Sequence, residues 1–316
     1  VRIHVLAGAL VAPDGRVLLA QRPEGKHLAG GWEFPGGKKD PGETRRAALA
    51  RELREELGVE LRSARPLIRF EHIYPDRVVD LDVWRVDAWA GEPRGLDGQA
   101  LAWCPVAELE AQGLLPADRP VVVALDLPSL VAISPTECGP RDLPDWVDAA
   151  IEAGAGLLQL RVPGASPAAL ADLARRLAPE CRRRNARMVV NGVDPELAAL
   201  VREGVIDGLH CPARLLPELA GLDRPAGCYG ASCHDAVELA EAAASGADYA
   251  FLSPVQQTRS HPERQPLGWE AFAERVAPLR LPVYALGGLR VRDLQTAWEA
   301  GAQGIAAIRG FKPPKG

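Results

Sequence analysis

The chain has 316 residues, 47% hydrophobic and 25% charged, with 37 Arg and Lys against 42 Asp and Glu. These are globular values that exclude disorder and collagen-like order, and the length suits two domains or one large barrel with additions. A formal net charge of −5 without a basic stripe or tail argues against long nucleic acid as a partner.

No apolar run approaches the roughly 18 residues needed to cross a bilayer, and the first residues lack the basic, apolar and small-residue succession of a signal peptide. The expectation is a cytoplasmic protein with no membrane partner. Six cysteines (Cys104, Cys138, Cys181, Cys211, Cys228 and Cys233) contain no Cys-x-x-Cys pair. They read as free, mostly buried thiols.

Taken in chain order, Arg2 to Val11 and Arg16 to Gln21 flank a Pro13-Asp14-Gly15 turn and predict a hairpin. Thr44 to Leu57 carries Ala48, Leu49, Leu53 and Leu57 at helical spacing, with Gly58 as its stop. Val78 to Ala90 is rich in strand formers, and Trp103 begins another short strand. This half reads as an α/β/α sandwich with a mixed sheet. Leu115 to Ser129, with Pro116, Pro120 and Pro128, reads as a linker. Beyond it, eight short apolar strands begin near Leu130, Gly156, Met188, Gly208, Cys228, Tyr249, Val283 and Gly304, alternating with Ala-rich helical stretches. That alternation predicts a (β/α)8 TIM barrel and domains at 1–128 and 129–316.

The most informative stretch runs from Gly37 to Val59: a glycine, five residues, Glu43, seven residues, then Arg51-Glu52-Leu53-Arg54-Glu55-Glu56-Leu57-Gly58-Val59. Glu52, Glu55 and Glu56 stand at i, i+3 and i+4, so a helix gathers three carboxylates on one face, where they repel one another unless a cation intervenes. Hard divalent ions take such oxygen ligands and also bind phosphate oxygens. Gly36 and Gly37 allow close backbone approach. Without further context the same face would serve as a solvated Glu/Arg surface.

Every fixed position of the Nudix box, G-x5-E-x7-R-E-U-x-E-E-x-G-U with U aliphatic, is met. Residues 1 to 128 thus resemble a Nudix hydrolase, and within that family the MutT or 8-oxo-dGTP diphosphatase type. Trp32-Glu33-Phe34-Pro35-Gly36-Gly37-Lys38, Gly91-Glu92-Pro93, Gly98-Gln99 and Pro116-Ala117-Asp118-Arg119-Pro120 extend the resemblance. It implies Mg2+ or Mn2+ held by Gly36, Glu52, Glu55 and Glu56, with Glu52 or Asp97 as the catalytic base. It also implies a nucleoside triphosphate bound by Arg22, His27, Glu33, Phe34, Pro35, Gly36 and Asp118. Arg51 would tie Glu43 to the helix. Two positions depart from the family: Asp97 stands where it has a glutamate near the metal, and Asp118 where it has the asparagine that reads the oxidised base. A protonated Asp118 could donate to O6 of 8-oxoguanine and accept from its N7 hydrogen.

Residues 130 to 311 resemble thiamin phosphate synthases and their TenI relatives. The carrying pieces are Gln159-Leu160-Arg161, Val190-Asn191, Gly208-Leu209-His210, Gly230-Ala231-Ser232-Cys233-His234, Ala247-Asp248-Tyr249, Ala285-Leu286-Gly287-Gly288-Leu289, and Gly301-Ala302 followed by Gly304-Ile305-Ala306. The resemblance implies a barrel phosphate site at Gly287, Gly288 and Arg309, with a thiamin or thiazole phosphate as ligand. Part of the synthase's catalytic set is missing. Pro163 and His261 stand where the family has lysines, and Gly192 and Leu215 where it has metal-binding aspartates. The barrel then serves as a binding module, a scaffold, or a TenI-like isomerase using a histidine such as His210.

The leading expectation is therefore a Mg2+-dependent pyrophosphohydrolase that converts 8-oxo-dGTP to 8-oxo-dGMP and sanitises the nucleotide pool. The alternative is a hydrolase of thiamin-related diphosphates whose products the barrel binds.

Overall fold

A computed structural model describes residues 2–25, 28–74, 77–258 and 264–311. The chain forms two compact units, 1–127 with 277–280, and 128–276 with 281–316.

The first unit contains β1 (Arg2–Leu10), β2 (Val17–Gln21), β3 (Trp32–Glu33), β4 (Gly36–Lys38), α1 (Arg45–Leu57), β5 (Glu60–Ile73), β6 (Val78–Ala90), β7 (Leu101–Cys104) and α2 (Arg119–Asp126). One sheet has the order β4-β1-β6-β5, with β1 parallel to β6 and the other pairs antiparallel; a smaller one has the order β3-β2-β7. Alternation along the strands sends residues to two cores. Leu6, Leu10, Leu18, Trp84 and Val86 join the buried face of α1. Ala7, Ala9, Val17, Leu19, Leu81 and Val83 join Val121, Ala124 and Leu125 of α2. The result is the α/β/α sandwich that the sequence implies.

Two sequence expectations are corrected here. The hairpin between β1 and β2 closes on a single bridge, Val11 to Val17, and β2 then leaves for the smaller sheet, because both edges of β1 are already taken by β4 and β6. The expected linker is largely helical: Pro120 lies in the first turn of α2, where a missing N–H costs nothing, and Val121, Ala124 and Leu125 bury one face. Helix α1 begins where Thr44 accepts the Ala47 N–H at 3.1 Å and stops at Gly58, whose φ of 69° is left-handed.

The second unit is a closed barrel of eight parallel strands in sequence order: β8 (Leu130–Ile133), β9 (Leu157–Leu160), β10 (Arg187–Asn191), β11 (Gly208–Cys211), β12 (Cys228–Cys233), β13 (Tyr249–Leu252), β14 (Val283–Leu286) and β15 (Gly304–Ala307). Among its helices, α3 (Leu143–Glu152), α4 (Pro167–Arg183), α5 (Pro195–Arg202), α6 (Leu216–Gly221) and α7 (Ala236–Ala244) follow successive strands, and α8 (Gly268–Val276) and α9 (Leu294–Glu299) complete the described set. Its interior is filled by Tyr249, Tyr284 and Phe251, all buried, whose rings meet edge-on or tilted. Asp207 and Asp248 accept the Met188 and Tyr229 N–H groups at 2.8 and 2.7 Å, fixing strand starts at the closed end.

Candidate active site in the first unit and cavity in the second

The first unit carries a cavity of about 560 Å³ into which Arg22, Glu33, Phe34, Gly36, Glu52, Glu55, Glu56, Asp97 and Asp118 all open. Pro35 is buried beside it and accepts the Gly8 N–H at 2.8 Å, so it shapes the loop rather than lining the cavity. His27 lies outside the described residues.

One end of the cavity is acidic. The Arg51 guanidinium donates to Glu43 (2.9 and 3.0 Å), Glu52 (2.7 Å), Glu55 (3.0 Å) and the Lys38 carbonyl (2.9 Å). The Arg51 hydrogen bonds, with one from the Asp40 N–H, pull the Glu43 carboxyl down to about 2. Glu56 accepts the Gly36 N–H at 3.0 Å. Strand β4 runs so close to α1 that a Cβ on Gly37 would lie 2.4 Å from Glu52 Oε2, and one on Gly36, at φ 151°, would meet the Leu6 carbonyl. Backbone contact requires glycine at Gly36, and a side chain at Gly37 would displace the Glu52 carboxylate.

A divalent ion fits this end by the chemistry of its donors: three carboxylates and the Gly36 carbonyl are hard oxygen ligands, and Gly37 leaves the space beside Glu52 open. Among the described residues no three side chains are drawn together as a finished metal cage. Arg51 and the Gly36 N–H hold the carboxylates instead.

The rotation of α1 is pinned from its first turn. Arg45 donates to both oxygens of Asp82 at 2.5 and 2.6 Å, and Trp84 Nε1 donates to the same carboxylate at 2.9 Å. Asp82 is fully buried on β6; burial works to raise its pKa, but hydrogen bonds from His4 and Arg45 outweigh it and hold the carboxyl below the ordinary value. Sequence reasoning missed this anchor, because an Asp within a strand-forming run gives no sign of its partner.

A second group of side chains on the same cavity surrounds Asp118. Arg22 Nε donates to Glu33 at 2.7 Å. Asp118 is buried, and its pKa rises to about 8, through burial first and then the Glu33 charge, against the opposing pull of Arg22. His72, Tyr74 and Arg77 complete the wall, with the Arg77 guanidinium 5.8 Å over the Tyr74 ring. These three were not anticipated; they sit at the β5–β6 connection, where nothing in the sequence periodicity marks a site.

In the second unit, Gly287 and Gly288 follow β14 with left-handed φ of 105° and 71°, and Arg309 pairs with Glu137 at 3.0 Å. They do not line the barrel's cavity of about 820 Å³, which opens instead beside β9 to β12. His210 does not reach it either. Its ring is fully buried, within 3.2 Å of Tyr249 Oη and 2.9 Å of Ser232 Oγ, and burial pushes its pKa down to about 3. This corrects the expectation of His210 as an isomerase base. The histidine at the cavity is His234, whose Nδ1 is 2.9 Å from Glu238 Oε2. His261 lies outside the described residues.

The first unit is thus an enzyme that hydrolyses pyrophosphate bonds, and the second a thiamine phosphate synthase-like TIM barrel. The chain belongs to two families: residues 6–124 match the NUDIX domain, and residues 130–311 match Thiamine monophosphate synthase. The CTP pyrophosphohydrolase of Escherichia coli (strain K12) is 42% identical over 122 residues, 39% of this chain and 90% of that protein. The 8-oxo-dGTP diphosphatase of the same organism is 34% identical over 124 residues, 39% of this chain and 96% of that protein. The thiamine-phosphate synthase of Prochlorococcus marinus (strain MIT 9313) is 33% identical over 185 residues, 57% of this chain; the match spans only 50% of that protein's length.

Proposed function

We propose that the first unit is a nucleoside triphosphate pyrophosphohydrolase that turns 8-oxo-dGTP into 8-oxo-dGMP and pyrophosphate, dependent on Mg2+ or Mn2+. The observation that carries this reading is one cavity with a carboxylate and glycine end for the phosphates and a buried carboxyl at the other end for the base.

Gly36, Glu52, Glu55 and Glu56 would hold the ion. When bound, it neutralises phosphate charge and makes a water more acidic. Arg51 keeps Glu52 and Glu55 from splaying apart and leaves Glu52 Oε2 beside Gly37. Glu52 or Asp97 takes the proton of the attacking water. Attack at phosphorus breaks the bond to the pyrophosphate oxygen, and pyrophosphate leaves.

At the base end, Asp118 with its proton in place presents a donor beside an acceptor. 8-Oxoguanine offers O6 and N7–H to match; guanine, whose N7 carries no hydrogen, does not. A second reading rests on the same atom pair. Cytosine N3 and its N4 amino group also match a protonated carboxyl, and the 42% identical relative carries the name CTP pyrophosphohydrolase. The deciding measurement compares kcat/KM for 8-oxo-dGTP, dGTP, CTP and thiamin diphosphate in Mg2+. The expected result is 8-oxo-dGTP first. A higher value for CTP selects the cytosine reading, one for thiamin diphosphate selects the thiamin-related one, and equal values for 8-oxo-dGTP and dGTP defeat pool sanitation.

A further inference from the structure

The synthase family implies a phosphate-binding lysine and two metal-binding aspartates at positions that are here Pro163, Gly192 and Leu215. All three line the 820 Å³ cavity of the barrel. They supply a ring, a bare backbone and an isobutyl group, and nothing that ligates a hard cation. Gly192 has φ 140°, and a Cβ there would press within 3.2 Å of Leu197 Cδ1. Asp194, Glu238 and Glu241 also line the cavity, but among the described residues no three such side chains are grouped to hold an ion, so the residues present do not fit a divalent ion at this place.

They offer direct cationic groups instead. Arg161 and Arg214 face the same cavity, and neither has a carboxylate partner among the described residues; Arg161 reaches only Thr136 Oγ1, at 3.3 Å. The wall also carries Arg264 and three carboxylates, Asp194, Glu238 and Glu241, and two of the three accept backbone N–H groups. Asp194 accepts the Glu196 N–H at 2.8 Å, and Glu238 accepts the His234 N–H at 2.7 Å. Asn191 Oδ1 accepts Gln159 Nε2 at 2.9 Å, which leaves the Asn191 amide hydrogens as donors at the cavity and the buried Gln159 Oε1 without a partner. The first turns of α4 and α5 open on the cavity and add their positive ends. A guanidinium offers paired N–H donors that match phosphate oxygens and needs no ion between.

We propose that this cavity binds the phosphate or diphosphate group of a small organic molecule without a divalent metal, with Arg161 and Arg214 taking the metal's place and Asn191 donating beside them. It is a binding site, not a transferase site, because the lysine and the two metal-binding aspartates that the synthase family carries here are Pro163, Gly192 and Leu215.

The test is calorimetric titration of the full chain with inorganic phosphate and with pyrophosphate, in EDTA. Saturable binding is expected in EDTA, weakened about tenfold or more in Arg161→Gln and in Arg214→Gln and largely kept in Arg161→Lys. Gly192→Asp is expected to weaken it too, by setting a negative charge in the cavity. Absence of binding in EDTA, binding that requires Mg2+, or equal affinity in wild type and both glutamine variants overturns the proposal. Nucleotide hydrolysis measured on the same samples is expected to be unchanged, so failure here is distinguishable from failure of the hydrolase reading.

Discussion

The two cavities of this chain differ in charge: carboxylates predominate in the first, while the second sets three arginines against three carboxylates. In the first unit, Glu52, Glu55 and Glu56 are gathered on one helix face, the first two held together by Arg51 and the third by the Gly36 N–H. In the second, aligned carboxylate positions have become Gly192 and Leu215, and arginines remain. An acidic site can meet an anion only through a cation, so it gains the polarising power that bond cleavage needs. Arginines can meet the anion directly, and give affinity without that power. The contrast separates catalysis from retention more sharply than the folds do.

The largest expected effect breaks the acidic side of the comparison. Glu52→Gln keeps the shape of the side chain and removes its charge; turnover is expected to fall by about a thousandfold, the scale on which a preorganised electrostatic group acts. Thermal unfolding should stay near wild type, since a Gln oxygen can still accept from Arg51. Wild-type turnover would dissolve the distinction between the two cavities.

A smaller loss, about a hundredfold, is expected from Gly37→Ala. The added methyl would lie 2.4 Å from Glu52 Oε2, at the mobile end of a side chain, so the fold accommodates it and the carboxylate moves. Displacement of about an ångström at a reacting group costs on this order. Steady-state kinetics beside a thermal melt separates the displaced carboxylate from a misfolded unit.

Much of this was legible in sequence for a physical reason. The Glu-rich helix is a local object: its cap, its stop and its three carboxylates follow from spacing within one segment. The barrel strands are likewise short apolar runs at even intervals. Strand β5 escaped notice because Arg62, Arg65, Pro66, Arg69 and Glu71 interrupt its pattern and its pairing with β6 shifts register three times. Helix α2 hid among prolines that read as breakers, although one of them starts the helix. The Asp82–Arg45 anchor joins residues far apart in sequence, and the Tyr74–Arg77 contact follows no strand or helix period. Spacing carries no information about such pairs.

Burial keeps one titratable group neutral in each unit, and these differ in sign. His210 is held down to about 3 against an ordinary 6.5, so the unfolded chain binds the proton first as pH falls below 6.5. Stability of the barrel is therefore full above that pH and is lost on acidification. From pH 8 to pH 5 the loss is about 2 kcal/mol from this residue. Comparing thermal unfolding of wild type with His210→Gln across that range isolates it. Parallel pH profiles would mean that His210 is not the group that couples to folding.

Asp118 is the counterpart, raised to about 8 by burial and by Glu33, and protonated at neutral pH. The proposed contact needs that proton: below the pKa the carboxyl donates and accepts, and above it only accepts, setting a negative charge against O6 of 8-oxoguanine or N3 of cytosine. Asp118→Asn presents a donor and an acceptor at every pH. The ratio of wild-type to Asp118→Asn kcat/KM on 8-oxo-dGTP cancels the pH dependence of the phosphate end, which the two proteins share. It is expected to fall about tenfold between pH 7 and pH 9, as the protonated fraction of one such carboxyl falls. A ratio that stays level across this range would mean that base recognition does not pass through the Asp118 proton.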